Sequence, residues 1–143
     1  MIGSDAIARR QRAAIEPVLR AIYQEGGQTV CLDEVAYFED PLPDGLGLRP
    51  TIRQFWRYGR SNRLTVIAGT QRPREVSRSM WSESSWLFAF RLDDQDDLKR
   101  VAEIGGDRAE LVAAVNALGG HEFVVVRKQR GGVRSLYVSK VGT

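Results

Sequence analysis

Apolar positions recur at helical spacing most clearly in residues 49–60, where Ile52, Phe55, Trp56 and Gly59 stand at i, i+3, i+4 and i+7. Arg49, Arg53, Arg57 and Arg60 occupy a neighbouring stripe of the same predicted helix. Residues 4–25 predict another helix, with Ser4 or Asp5 as its N-cap and Gly26-Gly27 as its end. Pro17 should kink that helix or open a second one. Shorter helices are predicted over 75–82, 94–104 and 107–118, the last two separated by Gly105-Gly106.

The other apolar runs are continuous rather than periodic. TVCLD (29–33), LTVIAG (64–69) and SWLFAFRL (85–92) are short and rich in β-branched or aromatic residues, the pattern of strands buried on both faces. Cys31 then reads as a small core residue. Residues 39–48, EDPLPDGLGL, hold two prolines and two glycines and predict a loop. EFVVVRK (122–128) and VRSLYVSK (133–140) flank Gly131-Gly132 and predict a hairpin. Strand, helical connection, strand, short helix, strand is the order of an α/β protein. The expected architecture is a mostly parallel sheet flanked by helices, with a C-terminal β-hairpin.

Composition narrows the setting. At 143 residues the chain is the size of one ordinary domain, and 43% apolar with 27% charged residues excludes whole-chain disorder. No apolar run approaches the roughly 20 residues of a membrane span, so no membrane association is expected. MIGSDAIARRQRAA lacks the apolar segment of a secretory signal. The single cysteine excludes an internal disulfide, and the single histidine, His121, argues against a histidine zinc centre. A reduced, cytoplasmic environment is the expectation. The net charge is only +3, but residues 28–48 carry five acids and no base, whereas residues 49–80 carry eight arginines against Glu75 alone. That alternation suits polyphosphate or nucleic-acid handling; a solvated helix face is the alternative.

The sharpest chemical feature is Asp33-Glu34 at the carboxyl end of an apolar strand, where open α/β sheets place their ligands. Acids there are costly to bury unless paired or bound to a metal. Two acids opening a surface loop would look the same. Thr70-Gln71 ends the next strand, and a polar amide at that edge can reach a phosphate oxygen or a water. Arg60, in YGRSNR, carries a guanidinium fork suited to a phosphoryl group, though most arginines simply face solvent. The Asp93–Asp97 cluster fits either a cation or the positive end of a helix.

The succession TVCLDE, an arginine-bearing helix ending in GR, LTVIAGTQRP and SWLFAFRL resembles the HerA/FtsK superfamily of P-loop motor ATPases over roughly residues 28–128. The resemblance implies a partial P-loop NTPase (RecA-like) fold, ATP and Mg2+ as cofactors, and a homo-oligomeric, generally hexameric, ring acting on DNA. Asp33 would be the Walker B acid that supports magnesium and the nucleotide, and Glu34 the glutamate that orients and deprotonates the attacking water. Thr70 and Gln71 would lie at the nucleotide, Gln71 as sensor. Arg60 would be the finger that reaches a neighbouring subunit, with Arg63 as a substitute.

One element of that pattern is missing. No glycine is followed by Lys-Ser or Lys-Thr, and Lys99, Lys128 and Lys140 all lie downstream of the Walker B strand. The phosphate-cradling loop GxxxxGK[ST] is absent. In the family the strand that leads into it lies between those corresponding to 64–69 and 85–91. Those two strands must therefore pair directly or receive a strand from another segment or a companion chain. Residues 1–143 are thus expected to be the C-terminal half of a motor ATPase domain, inactive alone. A non-catalytic interaction subunit and a small arginine-rich DNA-binding module are the alternatives.

Overall fold

The computed structural model describes residues 3–104, 107–128 and 134–142. The predicted separator Gly105-Gly106 and the hairpin turn Gly131-Gly132 lie outside them. The chain divides into two compact units, residues 1–79 and 80–143.

In the first unit, α1 (Ser4–Glu25) is one helix through Pro17 rather than two. Ala13 and Pro17 both lie on its exposed side, where water can satisfy the carbonyl left without a donor. Neither Ser4 nor Asp5 caps it; Gly3 is the N-cap, and Asp5 instead accepts a 2.8 Å hydrogen bond from Arg9 Nε. Gly26 and Gly27 turn the chain at φ of 64° and 69°, a region glycine enters freely. The turn is tied down from downstream: Gly27 N donates to Asn62 O at 2.9 Å, and Asn62 Nδ2 donates to Tyr23 O at 2.9 Å.

β1 (Thr29–Leu32) and β2 (Thr65–Ala68) form a parallel pair, with Thr29 opposite Thr65 and Leu32 opposite Ala68. Their burial departs from the expectation of strands covered on both faces. Val30 and Leu32 are buried, but Thr29 and Cys31 are exposed, and Ile67, opposite Cys31, is 57% exposed. Cys31 is therefore not a core residue: it points to the open face of a sheet covered on one side only.

A short helix, α2 (Val35–Glu39), follows β1 directly, where no helix is predicted. The loop behind it folds back, with Leu46 N donating to Tyr37 O at 2.9 Å and Leu48 N to Phe38 O at 2.8 Å, so that Leu46 and Leu48 are buried beneath it. α3 (Arg49–Tyr58) begins with Pro50 in its first turn and buries Ile52 and Phe55. Phe55 meets the ring of Tyr23 at 5.5 Å, so it serves the core rather than a ligand, and Trp56 is half-buried. A 3-10 turn over Gly59–Asn62 leads into β2.

The second unit begins within α4 (Arg78–Glu83), whose Met80 and Trp81 are buried. β3 (Trp86–Ala89), β4 (Glu122–Lys128) and β5 (Arg134–Lys140) form an antiparallel sheet in the order β3-β4-β5. The predicted hairpin pair is present, and the third apolar strand joins it. Among the described residues β2 pairs only with β1 and β3 only with β4, so parallel pairing is confined to β1–β2 and β2 does not pair directly with β3. α5 (Gln95–Val101) and α6 (Arg108–Asn116) are each capped by an aspartate. Asp94 accepts from Asp96 N at 2.8 Å and Asp97 N at 3.1 Å, which makes the acidic cluster a helix start. Leu111 and Val115 of α6 are buried, and α6 packs against β4, where Val124 and Val126 are fully buried.

Gly45 is a point of close approach within the first unit: a Cβ there would stand 2.6 Å from Asp40 O and from Tyr37 O, both backbone atoms. Gly45→Ala should lower stability by about 1–3 kcal/mol, measured by urea unfolding.

Candidate functional site

The sequence-predicted acids sit where the parallel pair ends. Gly69 N donates to Leu32 O at 3.0 Å and Val35 N donates to Gly69 O at 2.9 Å, so the ladder bridges the two residues between. Those residues are Asp33 and Glu34. Asp33 is exposed, its Oδ1 standing close to the side-chain-free face of Gly69, and it has no hydrogen-bond or ion-pair partner among the described residues. Glu34 is half-buried and sits in the left-handed region at φ 50°, ψ 63°, uncommon for a residue with a side chain.

The side chain of Glu34 crosses to the end of β2. Its Oε1 accepts from Thr70 Oγ1 at 2.8 Å and its Oε2 from Gln71 N at 3.0 Å. Thr70 Oγ1 in turn accepts from Arg72 N at 3.0 Å, which orients its proton toward the carboxylate. Four of the predicted site residues, Asp33, Glu34, Thr70 and Gln71, are thus brought together at the carboxyl ends of two parallel strands. The contact made by Gln71 is through its backbone; its side chain is exposed.

Arg60 is not brought to this site. It lies exposed in the 3-10 turn, which docks at the opposite ends of the strands, where Thr65 N donates to Gln28 O and Gly27 N to Asn62 O. Four residues of strand at 3.3 Å each put the two ends about 13 Å apart. Arg63 shares that end, in a left-handed conformation at φ 55°. Of the arginine stripe, Arg49 is committed to structure: its Nε lies 3.5 Å from Glu39 Oε2, and it donates to Glu75 O at 3.0 Å. Arg53 and Arg57 remain exposed and, with Pro50, Gln54 and Tyr58, line a shallow groove of about 230 Å³.

Sequence reasoning did not single out Glu39. It is fully buried at the end of α2, where Ser77 donates to it twice, from its amide at 2.6 Å and from its hydroxyl at 2.8 Å. Burial raises its pKa above the usual carboxylate range, against the opposing pull of Ser77, Arg49 and Arg53. An acid inside a Pro/Gly-rich loop boundary carries no pattern that separates it from its exposed neighbours.

No group of three His, Cys, Asp or Glu side chains is placed to cage a metal ion among the described residues. The site offers one unengaged carboxylate, Asp33, which suits an ion such as Mg2+ that is held mainly by phosphates and water. No helix of the described residues is long and apolar enough to cross a membrane.

This is a mixed α/β fold, and solved structures of NTPases share it. The genome packaging NTPase B204 from Sulfolobus turreted icosahedral virus 2, in complex with AMPPCP, superposes with a TM-score of 0.65 at 16% identity, over 87% of this chain and 63% of that one. Its complex with ATP-gammaS gives 0.64 at 16% identity over the same shares. The DNA-packaging ATPase B204 from Sulfolobus turreted icosahedral virus gives 0.62 at 14% identity, over 89% of this chain and 58% of that one. The chain therefore spans about 60% of the length of these neighbours. No protein-family model matches the sequence, and no curated protein matches it.

Because the native state holds Glu39 with a raised pKa, it binds a proton there that the unfolded chain has already lost just above the ordinary value of 4.5. This contribution to stability is present below 4.5 and is lost as pH rises through the raised value. Thermal melts between pH 4.5 and 7 should show Glu39→Gln gaining stability relative to the wild type as pH rises. Glu39→Ala, which strands both donors of Ser77, should cost about 1–3 kcal/mol in urea unfolding at neutral pH.

Proposed function

We propose that this chain is the half of a HerA/FtsK-like motor ATPase that supplies the catalytic acids, and that the phosphate-binding half comes from another segment or a companion chain. The observation that carries this proposal is the carboxylate of Glu34, held by Thr70 and Gln71 across two parallel strands. A general base must be aimed and must sense the ligand, and here the aiming contacts come from the strand end assigned to sensing.

In this assignment Glu34 orients the attacking water and takes its proton, and either Oε can be released from Thr70 or Gln71 to do so. Asp33 supports Mg2+ beside the nucleotide. The ion would supply charge neutralisation on the phosphate oxygens of ATP. Gln71 would act as the sensor, its exposed side-chain amide turning to the transferred phosphate. Arg60, at the far end of the strands, has no access to the site of its own chain and would serve a neighbouring copy in a ring, generally a hexamer. DNA is the proposed substrate of movement, in keeping with the packaging function named for B204, and the cytoplasm its proposed location.

The isolated chain should show no ATP turnover, because it has no backbone cradle or lysine for the phosphates. Combined with a strand–GxxxxGK[ST]–helix half, it should turn over ATP. Glu34→Gln should then lower kcat by about 10²–10⁴-fold with nucleotide affinity retained. Phosphate release and equilibrium binding of a fluorescent ATP analogue measure the two quantities; unchanged turnover would remove Glu34 from the mechanism.

A further inference from the structure

The short helix α2 is held at both of its ends by a carboxylate. Glu34, its N-cap residue, grips Thr70 and Gln71, and Glu39, its last residue, grips Ser77. Both sets of partners belong to one segment, the run that leaves β2. Alongside these grips, Val35 N, the first amide of α2, donates to Gly69 O at 2.9 Å. Arg49 donates to Glu75 O at 3.0 Å while its Nε stands 3.5 Å from Glu39 Oε2. Five residues of helix rise about 7.5 Å, so the two grips lie at opposite ends of one short rod. A single grip would leave that rod free to pivot; two fix it against the segment. The pivot matters because Glu34 occupies the left-handed region without being glycine, a conformation that persists only where the surrounding structure imposes it. A helix of this length does not supply that constraint by itself.

The far grip is costlier than packing alone requires. The side chain of Glu39 is wholly buried, and a buried carboxylate gives up its hydration, which an apolar residue of similar size in that place would not. What the carboxylate adds is geometry. Ser77 occupies both of its oxygens, the hydroxyl bonding Oε1 at 2.8 Å and the amide bonding Oε2 at 2.6 Å, and a two-point contact fixes distance and rotation together. We infer that Glu39 is a positioning residue for Glu34: with Ser77 it locks α2 to the segment after β2 and so sets where the Glu34 carboxylate stands relative to Gln71. Glu39 acts through the helix, five residues along the chain from Glu34. Its effect on turnover rests on the ATPase-half assignment above; the lock itself does not.

Amide hydrogen exchange of the isolated chain, followed by NMR at one pH, tests the lock. Gln71 N donates to Glu34 and Val35 N to Gly69, whereas Gly27 N donates to Asn62 O at the other end of the strands and serves as the internal reference. Glu39→Ala should speed exchange at Gln71 and Val35 by about 10-fold more than at Gly27. Glu39→Gln should restore the wild-type rates, because its carbonyl can accept from the Ser77 amide while its NH2 donates to the hydroxyl. Ser77→Ala, which removes only the hydroxyl bond, should speed the same two amides by about 3-fold relative to Gly27, and it carries the test if Glu39→Ala does not fold. Equal acceleration at all three amides would make Glu39 a stabiliser of the whole unit and overturn its positioning role, as would an unchanged rate at Gln71. With the phosphate-binding half supplied, Glu39→Ala should lower kcat by about 10–100-fold with KM for ATP unchanged, and Glu39→Gln should recover it. Wild-type turnover in a variant whose Gln71 amide has loosened would overturn the positioning of Glu34. Absence of turnover in the wild-type complex would instead overturn the ATPase-half assignment, and the exchange rates would still decide the lock.

Discussion

Two four-residue strands and one carboxylate hold the candidate site together. The ladder between β1 and β2 is short, and beyond Leu32 and Ala68 its continuity depends on Gly69 and on the side chain of Glu34 crossing to Thr70 and Gln71. Everything else in the first unit presents this junction. α1 and the 3-10 turn fix where the strands begin, and α2 and the loop beneath it fix where β1 ends. The buried Glu39, with Arg49 and Ser77, ties α2 to the start of α3 and to the segment after β2. A charge in that position is tolerable because its oxygens are hydrogen-bonded, and its raised pKa records the remaining cost of burial.

Much of the fold was legible in the sequence because its signals were local. The period of Ile52, Phe55 and Trp56 marks α3, and the three apolar runs and the hairpin pair mark the strands. Gly26-Gly27 ends α1 because both residues need positive φ. Misreadings arose where context outside the segment decides. TVCLD reads as a doubly buried strand, but which faces are covered depends on what packs around a strand rather than on its own residues, and Cys31 and Ile67 lie open. α2 was hidden because a five-residue helix is too short for periodicity to register.

The site was half legible. Asp33-Glu34 and Thr70-Gln71 announce themselves by position at strand ends, and the fold brings the two pairs together. The particular bonds were not readable: that the threonine hydroxyl and the backbone of Gln71, rather than its side chain, grip Glu34 follows from the left-handed turn at Glu34, which no sequence pattern specifies. Arg60 was singled out for its chemistry, and only the topology separates it from the acids by the length of a strand.

The turn at Glu34 carries a consequence for how this chain would respond to selection. A non-glycine residue in that conformation costs roughly 1–2 kcal/mol that glycine would escape. Glycine at position 34 would also lose both hydrogen bonds that clasp the end of β2, so strain and clasp oppose each other. Selection for thermal tolerance alone would therefore keep an acid there only if the clasp outweighs the strain of the turn.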